Sequence, residues 1–256
     1  MLGRNPAVEY RTPGAPFNSD VQNPKVLNAA LPADVDRSTG IDGTDVYTRA
    51  PQVGRFRVWQ TRVGRGESVD LVAISNHFSS VPDARVGQRT EQSRYGAAIV
   101  RAAGRGPRSR DRVVFGGDLN VFPRPDDPFA PGHPLFPSDQ LAPLYEEGGL
   151  ENLWDRLVSK APAAAYTYVF QGQAQTLDHQ FVSLRLAREL RGVRVAHVNA
   201  DWPTDFSGDG ARGASDHDPL VARYGFSPRR PGGRCRRAHR SARSIGERRL
   251  GLGRSR

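Results

Sequence analysis

Two short apolar runs separated by one amphipathic helix constrain the fold of this chain most strongly. Leu71–Ile74 and Val113–Phe115 have the length and composition of buried strands. Between them, apolar residues recur at helical spacing and predict a helix over Gln88–Ala103, which ends at Gly104. The chain is therefore expected to combine strands and helices in one hydrophobic core.

The remaining strand candidates do not follow a strict β-α-β repeat. Arg55–Trp59 alternates as a half-buried strand does, and Tyr166–Phe170 and Gln180–Ser183 lie on either side of Gly172. Further elements are expected as strands at Val193–Val198 and Leu220–Tyr224, and as helices from about Asp139 and around Leu150–Leu157. This mixture favours a layered α/β sandwich.

Four short polar motifs accompany these strands. We expect each motif at the carboxyl end of a strand or in the loop just after it, where an α/β scaffold can hold a rigid site facing solvent. In chain order they are Asn76-His77-Phe78, Gly117-Asp118-Leu119-Asn120, Leu177-Asp178-His179 and Ser215-Asp216-His217-Asp218-Pro219.

These motifs supply imidazoles, carboxylates and a carboxamide, but no thiol and no serine in a nucleophile elbow. Such groups suit a hard cation, Mg²⁺ or Mn²⁺ with Ca²⁺ also compatible. They also suit attack of water on a phosphate better than covalent acyl transfer.

Each motif alone also has a purely structural interpretation. Asn76-His77 can be a satisfied strand end, and Asp118 with Asn120 can form a loop closed by an Asx hydrogen bond. Asp178-His179 can be a surface pair. The order and co-occurrence of all four motifs favour a functional site.

With these motifs in place, the sequence resembles the endonuclease/exonuclease/phosphatase family over about Tyr10–Tyr224. That family includes pancreatic-type deoxyribonucleases, abasic-site nucleases, sphingomyelinases and inositol-polyphosphate phosphatases. Tyr166–Phe170, Leu177–His179 and Ser215–Leu220 are most similar to its secreted bacterial nuclease branch. The resemblance implies a four-layer α/β/β/α sandwich of the deoxyribonuclease type.

The resemblance also implies roles for individual residues. His77 matches the histidine that contacts the phosphate or the leaving group, and Asp118 matches the aspartate that orients or deprotonates the attacking water and contributes to the metal site. Asn76 and Asn120 are expected to bind substrate, and Asn120 also belongs to the catalytic set. His217 matches a second catalytic histidine, and Asp178 matches the catalytic aspartate that orients it. Asp216 matches a metal ligand.

The chain departs from the family pattern at its beginning. The Asn on the family's first strand and the metal-ligating Glu on its second should both precede His77, and Glu9 lies in a segment that matches the family's residues after that ligand. We therefore expect an N-terminally truncated domain that lacks the first strands and is inactive or poorly folded alone. Ser79-Ser80 also replace a Lys found in many relatives, and Arg85 and Arg89 are expected to be solvated at the helix start rather than to substitute for it.

The basic charge of the chain is concentrated at its C-terminal end. The net charge is +10, but residues 227–256 contain eleven Arg and one acid. Removing these from the totals of 37 basic and 27 acidic residues leaves 26 of each sign in 1–226. The sequence predicts a neutral domain over 1–226 and a disordered Arg-rich tail over 227–256, which is either a solvated end, an out-of-frame translation or an arm that tracks phosphates.

Several classes of protein are disfavoured by composition. No apolar stretch approaches the roughly 18 residues of a membrane span, and the first residues lack the apolar region of a signal peptide. The single Cys235 excludes an internal disulfide and a cysteine-based zinc site. The resemblance nevertheless implies an extracellular protein, and we expect a monomer.

The sequence therefore predicts a metal-dependent phosphodiesterase that hydrolyses nucleic acid. Two alternatives remain open. One is a phosphodiesterase or phosphatase of the same family that acts on a phospholipid or an inositol phosphate. The other is a non-catalytic remnant that binds nucleic acid through its basic tail.

Overall fold

The structure of the protein is a computed structural model. It describes the backbone of residues 7–10, and residues 47, 51–59, 64, 66–81, 84–103, 112–124, 131–202 and 214–226. The predicted disordered tail, 227–256, lies outside the described residues, as does most of the N-terminal region before residue 47.

Six of the strands form one mixed sheet in the order β1-β2-β3-β4-β8-β5. Two further pairs, β6 with β7 and β9 with β10, form separate two-stranded sheets. The strands in chain order are β1 (Ala7–Tyr10), β2 (Gln52–Trp59), β3 (Ser68–His77), β4 (Arg112–Asp118), β5 (Leu150–Asn152), β6 (Tyr168–Phe170), β7 (Gln173–Gln175), β8 (Asp178–Ser183), β9 (Leu190–Val195) and β10 (Leu220–Tyr224).

The helices of the described residues are α1 (Val86–Ala103), α2 (Ala142–Glu146), α3 (Trp154–Val158) and α4 (Leu184–Glu189), with a 3₁₀ turn at Pro162–Ala164. The longest, α1, joins the neighbouring parallel strands β3 and β4. The other strand pairs are antiparallel. None of the helices described combines the length and the hydropathy needed to span a bilayer.

One face of the large sheet packs against α1. Tyr95 and Ile99 of this helix are 2% exposed, and they share a core with Ile74 of β3 and Phe115 of β4. Phe115 meets Phe181 of β8 edge to face, with ring centroids 6.5 Å apart. Apolar residues at helical spacing on α1 and at alternate positions of the strands produce this interface.

The opposite face of the large sheet packs against β9 and β10. Val182 and Leu186 are fully buried there, beside Val193 of β9 and Tyr224 of β10. The helix, the large sheet and the small sheet form three successive layers of the predicted sandwich, and the α/β class is confirmed.

The secondary structure of two segments differs from the prediction. Leu150–Asn152 is a strand rather than the start of a helix, because it pairs with the end of β8. The helix Leu184–Glu189 has too few residues for its period to be visible in the sequence. Pairing with β8 overrides the helical pattern at Leu150–Asn152, and the helix Leu184–Glu189 is too short to be predicted from its sequence pattern.

Arg89 is not solvated, contrary to the expectation from the sequence. Its side chain is completely buried, its Nε donates to Gln140 Oε1 at 2.7 Å, and its Nη1 donates to the carbonyl oxygens of Ser79 at 3.1 Å and Val81 at 2.9 Å. Arg89 therefore fastens the loop after β3 to α1. Arg85, by contrast, is exposed, as expected.

Candidate active site

Three polar side chains lie side by side across three neighbouring strands. His77 at the end of β3 is paired in register with Asp118 at the end of β4, and Asp118 is paired with Asp178 at the start of β8. Residues directly opposite each other on adjacent strands project from the same face of the sheet. The register therefore brings the imidazole and both carboxylates to one end of the sheet.

Two of the four polar motifs also lie at the beginning of a strand. Asp178-His179 begins β8, shortly after β7 ends at Gln175, and Ser215–His217 precedes β10. All four motifs still converge, because β8 is antiparallel to β4 and its beginning lies beside the end of β4. The described motifs therefore converge at one end of the sheet, and for Asp178 this end is the start of a strand.

Glycine at 117 permits this close arrangement. Gly117 has φ of +134°, and a Cβ there would lie 2.0 Å from the carbonyl oxygen of Asn76. A Cβ on Gly116 would lie 2.5 Å from the carbonyl oxygen of His179. Only residues without side chains let β4 approach both neighbours, so Asp118 follows directly from this Gly-Gly pair.

Asp118 is held through one carboxylate oxygen and presents the other to two imidazoles. Its Oδ1 accepts a hydrogen bond from the backbone N–H of Asn120 at 2.9 Å, which is the Asx contact considered from the sequence. Its Oδ2 lies 3.4 Å from His77 Nε2 and 3.9 Å from His217 Nε2. Burial, followed by the negative charge of Asp178, raises the pKa of Asp118 above its usual range.

His217 is oriented by the second carboxylate. Its Nδ1 donates to Asp178 Oδ2 at 2.6 Å, so its Nε2 is the nitrogen directed toward Asp118. This hydrogen bond raises the pKa of His217 against the effect of burial, and the nearby carboxylates raise it further. The Tyr168 ring stacks on the imidazole with centroids 4.7 Å apart, which fixes the plane of the ring.

The three other predicted site residues have different positions. Asn120 is 6% exposed and borders the pocket at the site, and its Nδ2 donates to the carbonyl oxygen of Phe78 at 3.2 Å. Asp216 is exposed at the rim of the same pocket. Asn76 is buried, and its Nδ2 donates to the carbonyl oxygen of Ile74. Its Oδ1 is also buried and has no hydrogen-bond partner among the residues that the structure describes.

Asp118, Asp178 and His217 form a group that could hold a metal ion. Each offers one ligand atom, and these atoms lie within 4.8 Å of one another. Two carboxylates and an imidazole suit Mn²⁺, and the carboxylate oxygens also suit Mg²⁺. The predicted metal pair was Asp118 and Asp216, and Asp216 is not a member of this group.

These side chains form one wall of an open pocket of about 940 Å³. The pocket is also lined by the adjoining hairpin of β6 and β7, whose strands are joined by the two-residue turn Gln171-Gly172. Ser80 and Val81 lie at another side. The pocket is of the size that accommodates a ligand larger than a single phosphate.

His197 and Asp218 support the loop beside the site, a role that was not predicted from the sequence. Asp218 Oδ1 accepts from the backbone N–H groups of residues 198 to 200, and its Oδ2 accepts from His197 Nδ1 at 2.9 Å. The pKa of Asp218 is lowered because these hydrogen bonds outweigh the effect of burial. The side chain of Asn199 in this loop then donates to the carbonyl oxygen of His217 at 2.9 Å. The Asp218 carboxylate, placed beside His217 in the Ser-Asp-His-Asp motif, was the only sequence signal of this support.

Comparison with protein-family models gives no match, and neither does comparison with curated proteins. Solved structures do match. The endonuclease domain of TRAS1, a telomere-specific non-LTR retrotransposon, is 20% identical over 72% of this chain and 67% of its own, with a TM-score of 0.39. The AP endonuclease from Archaeoglobus fulgidus is 18% identical over 67% of this chain and 65% of its own, with a TM-score of 0.40. The endonuclease/exonuclease/phosphatase from Beutenbergia cavernae is 18% identical over 68% of this chain and 40% of its own, with a TM-score of 0.41.

Two of these three proteins are described as endonucleases and the third as an endonuclease/exonuclease/phosphatase. The chain spans between 40% and 67% of the length of these three structures. The secreted bacterial branch stays a prediction. At these identities and TM-scores the likeness does not decide the reaction, which has to be argued from the side chains of the site.

Proposed function

We propose that this domain, residues 1–226, is a metal-dependent phosphodiesterase that hydrolyses nucleic acid. The observation that carries the proposal is the contact between His217 and Asp178, with Asp118 beside it in the same pocket. A carboxylate that orients an imidazole toward a second carboxylate suits proton transfer and anion contact at a phosphate.

Asp118 is the group best suited to receive a proton from the attacking water. Its Oδ2 is the oxygen that faces His77 and His217, because Oδ1 is occupied by the Asn120 N–H. Its raised pKa brings the carboxylate nearer to neutral pH, where a general base works best.

The two histidines are suited to the negative charge that grows on the phosphate. His217 has a raised pKa and an Nε2 directed into the site, so in its protonated form it donates to a phosphate oxygen. His77 approaches Asp118 Oδ2 from its own strand, and its side chain is 40% exposed. It can therefore contact the leaving group.

A divalent cation would be held by the carboxylates of Asp118 and Asp178 and would stabilise charge on the phosphate oxygens, while protonated His217 keeps both ring nitrogens as donors. Among the described residues that border the pocket, there is no Lys or Arg. A bound cation would therefore add to the positive charge of protonated His217. Asp216, exposed at the rim, is proposed to contribute an outer carboxylate to this cation.

Cleavage of a fluorescent single-stranded oligonucleotide by the purified full chain tests the proposal. With Mn²⁺ or Mg²⁺ present we expect cleavage by the unchanged protein and its loss in His217→Ala with either metal. The matched control is His133→Ala, which removes an exposed histidine outside the pocket. Mn²⁺ binding, followed by its electron paramagnetic resonance signal, should weaken in Asp118→Asn and not in the exposed control Asp70→Asn.

Cleavage that His217→Ala does not change would contradict the proposed function. Absence of any cleavage, with Mn²⁺ still bound, would also contradict it, because the bound metal would then not support hydrolysis. Hydrolysis of sphingomyelin or an inositol phosphate without cleavage of the oligonucleotide would replace nucleic acid by the alternative substrate class.

The proposed extracellular location rests on the resemblance alone. Immunodetection in culture medium and in washed cells of the source organism tests it. Protein confined to the cells would contradict it.

A further inference from the structure

The hairpin of β6 and β7 forms a wall with a regular arrangement of rings and amides. Phe170 is opposite Gln173 in the strand register, and Tyr168 is opposite Gln175. Residues opposite each other project from the same face of a two-stranded sheet, so one face presents two ring-amide pairs. All four side chains border the pocket that contains Asp118 and His217.

The rings of Tyr168 and Phe170 form a stacked series that begins at the imidazole of His217. Tyr168 stacks on His217 with an interplanar angle of 23°, and the Phe170 ring lies 6.3 Å from the Tyr168 ring at an angle of 17°. Phe170 is 49% exposed, although it is a large apolar residue. An exposed ring, nearly parallel to the two rings that precede it, offers a flat apolar face next to the reacting atoms.

A tight turn joins the two strands of this wall. Gln171 has φ of +50° and Gly172 has φ of +80°, and they are the only residues between the two strands. Positive φ at both central positions matches the two-residue turn whose twist suits a tight hairpin. The amide side chains of Gln171, Gln173 and Gln175 all border the pocket, and each amide can both donate and accept hydrogen bonds.

We propose that this face, formed by Tyr168, Phe170, Gln173 and Gln175, binds an unpaired nucleobase of the substrate strand. The base stacks on Phe170, and the amide of Gln173 or Gln175 bonds to its edge. This inference rests on the proposed function and specifies its substrate as single-stranded or locally unpaired nucleic acid.

The chemistry of the wall favours a base over the other candidate ligands. An acyl chain gains nothing from a row of amides, whereas a base has both a flat face and polar edges. In a duplex the faces are stacked and the pairing edges are occupied, so only an unpaired base can use both features of the wall. Neutral amides in place of Lys or Arg, among the described residues of the pocket, also distinguish this wall from a surface that follows the phosphate backbone.

Binding in EDTA tests this subsite without any requirement for catalysis. Fluorescence anisotropy of the full chain is compared for oligo(dT) of about twelve nucleotides and for an abasic tetrahydrofuran-phosphate chain of the same length. The two ligands carry the same charge, so the Arg-rich tail contributes equally to both. We expect tighter binding of oligo(dT) by about 5- to 100-fold, a preference that Phe170→Ala abolishes.

Leu184→Ala is the matched control, because Leu184 is a large apolar residue with similar exposure, 54%, that does not border the pocket. This variant should keep the preference for oligo(dT). Phe170→Trp should also keep it, and its added fluorescence should be quenched by oligo(dT) but not by the abasic chain. Gln173→Leu should retain the stacking but reduce the difference in affinity between homopolymers of different bases.

Equal binding of both ligands by the unchanged protein, or a preference that survives in Phe170→Ala, would overturn the subsite. So would loss of binding to anionic phospholipid vesicles in Phe170→Ala with the oligo(dT) preference intact, which would make the wall a lipid contact. A Phe170-dependent preference in a chain that does not cleave contradicts the proposed catalysis and not the subsite. Cleavage that depends on His217 without this preference overturns the subsite alone.

Discussion

Acidification should destabilise the protein through one buried histidine. His179 is 2% exposed, between Trp154 and Phe181. Its Nε2 lies 2.6 Å from the carbonyl oxygen of Val121, and its Nδ1 lies 3.0 Å from Asn152 Nδ2. In the neutral ring Nε2–H donates to Val121 and Nδ1 accepts from the Asn152 amide, so a second proton has no acceptor.

The size of the effect follows from the difference in pKa between the two states. Burial lowers the pKa of His179 to about 4 in the folded protein, whereas the unfolded chain has an ordinary value of about 6.5. Above about pH 6.5 the ring is neutral in both states and the stability is at its full value. As the pH falls from about 6.5 to about 4, only the unfolded state takes up the proton, so the free energy of unfolding falls by about 3 kcal/mol.

Urea unfolding of the full chain and of His179→Gln measures this loss. Other groups titrate in both proteins, so the difference in unfolding free energy between them isolates His179. That difference should shrink by about 3 kcal/mol between about pH 7.5 and about pH 4. The control Leu184→Ala removes an exposed side chain that carries no titratable group, so its difference should not change with pH.

A difference between the full chain and His179→Gln that stays constant with pH would refute this reasoning. A titration of the His179 ring by nuclear magnetic resonance gives a second measurement that does not depend on the variant. An apparent pKa near 6.5 in the folded protein would also refute it.

Three further substitutions have expected outcomes. Asp178→Asn should lower cleavage about 10²- to 10⁴-fold and shift the alkaline limit of the pH profile to lower pH, because the pKa of His217 falls when its carboxylate partner is removed. Gly117→Ala should cost several kcal/mol of unfolding free energy, since its Cβ would overlap the carbonyl of Asn76. Arg89→Met should cost about 3 to 5 kcal/mol in urea unfolding, because buried carbonyl groups lose their donor.

Each of these substitutions has a control within the chain. Asp70→Asn removes an exposed carboxylate from β3 and should leave the pH profile unchanged. Gly87→Ala places a methyl group in open space on α1 and should stabilise the protein by up to about 1 kcal/mol. Arg94→Met removes an exposed guanidinium from α1 and should change stability by less than about 1 kcal/mol. Equal effects at target and control positions would contradict the assigned contacts.

The convergence of the site could be predicted from sequence, because polar residues after buried apolar runs are visible in a linear pattern. Asp118 after Gly116-Gly117 is an example. The orientation of β8 could not be predicted, since Leu177-Asp178-His179 has the same pattern at the start of a strand as at its end. Strand direction is set by pairing with β4, which no local pattern encodes.

The burial of Arg89 was also beyond local reasoning. An arginine at the beginning of a helix is usually solvated, and only the folded loop after β3 supplies the carbonyl acceptors that enclose this one. The partnership of His197 with Asp218 spans 21 positions in the chain and has no periodic signal. Such contacts form only in the folded chain, whereas the α/β class could be predicted from the spacing of apolar residues along the sequence.

The pairing of β4 with β8 couples the geometry of the candidate active site to the packing of the hydrophobic core. The same ladder that sets Phe115 opposite Phe181 sets Asp118 opposite Asp178 three positions later. A slip of one residue would exchange the faces of β8 and replace the Asp178 carboxylate by the His179 ring. Because the same slip would take Phe181 out of the core, loss of this alignment should lower turnover and the melting temperature together.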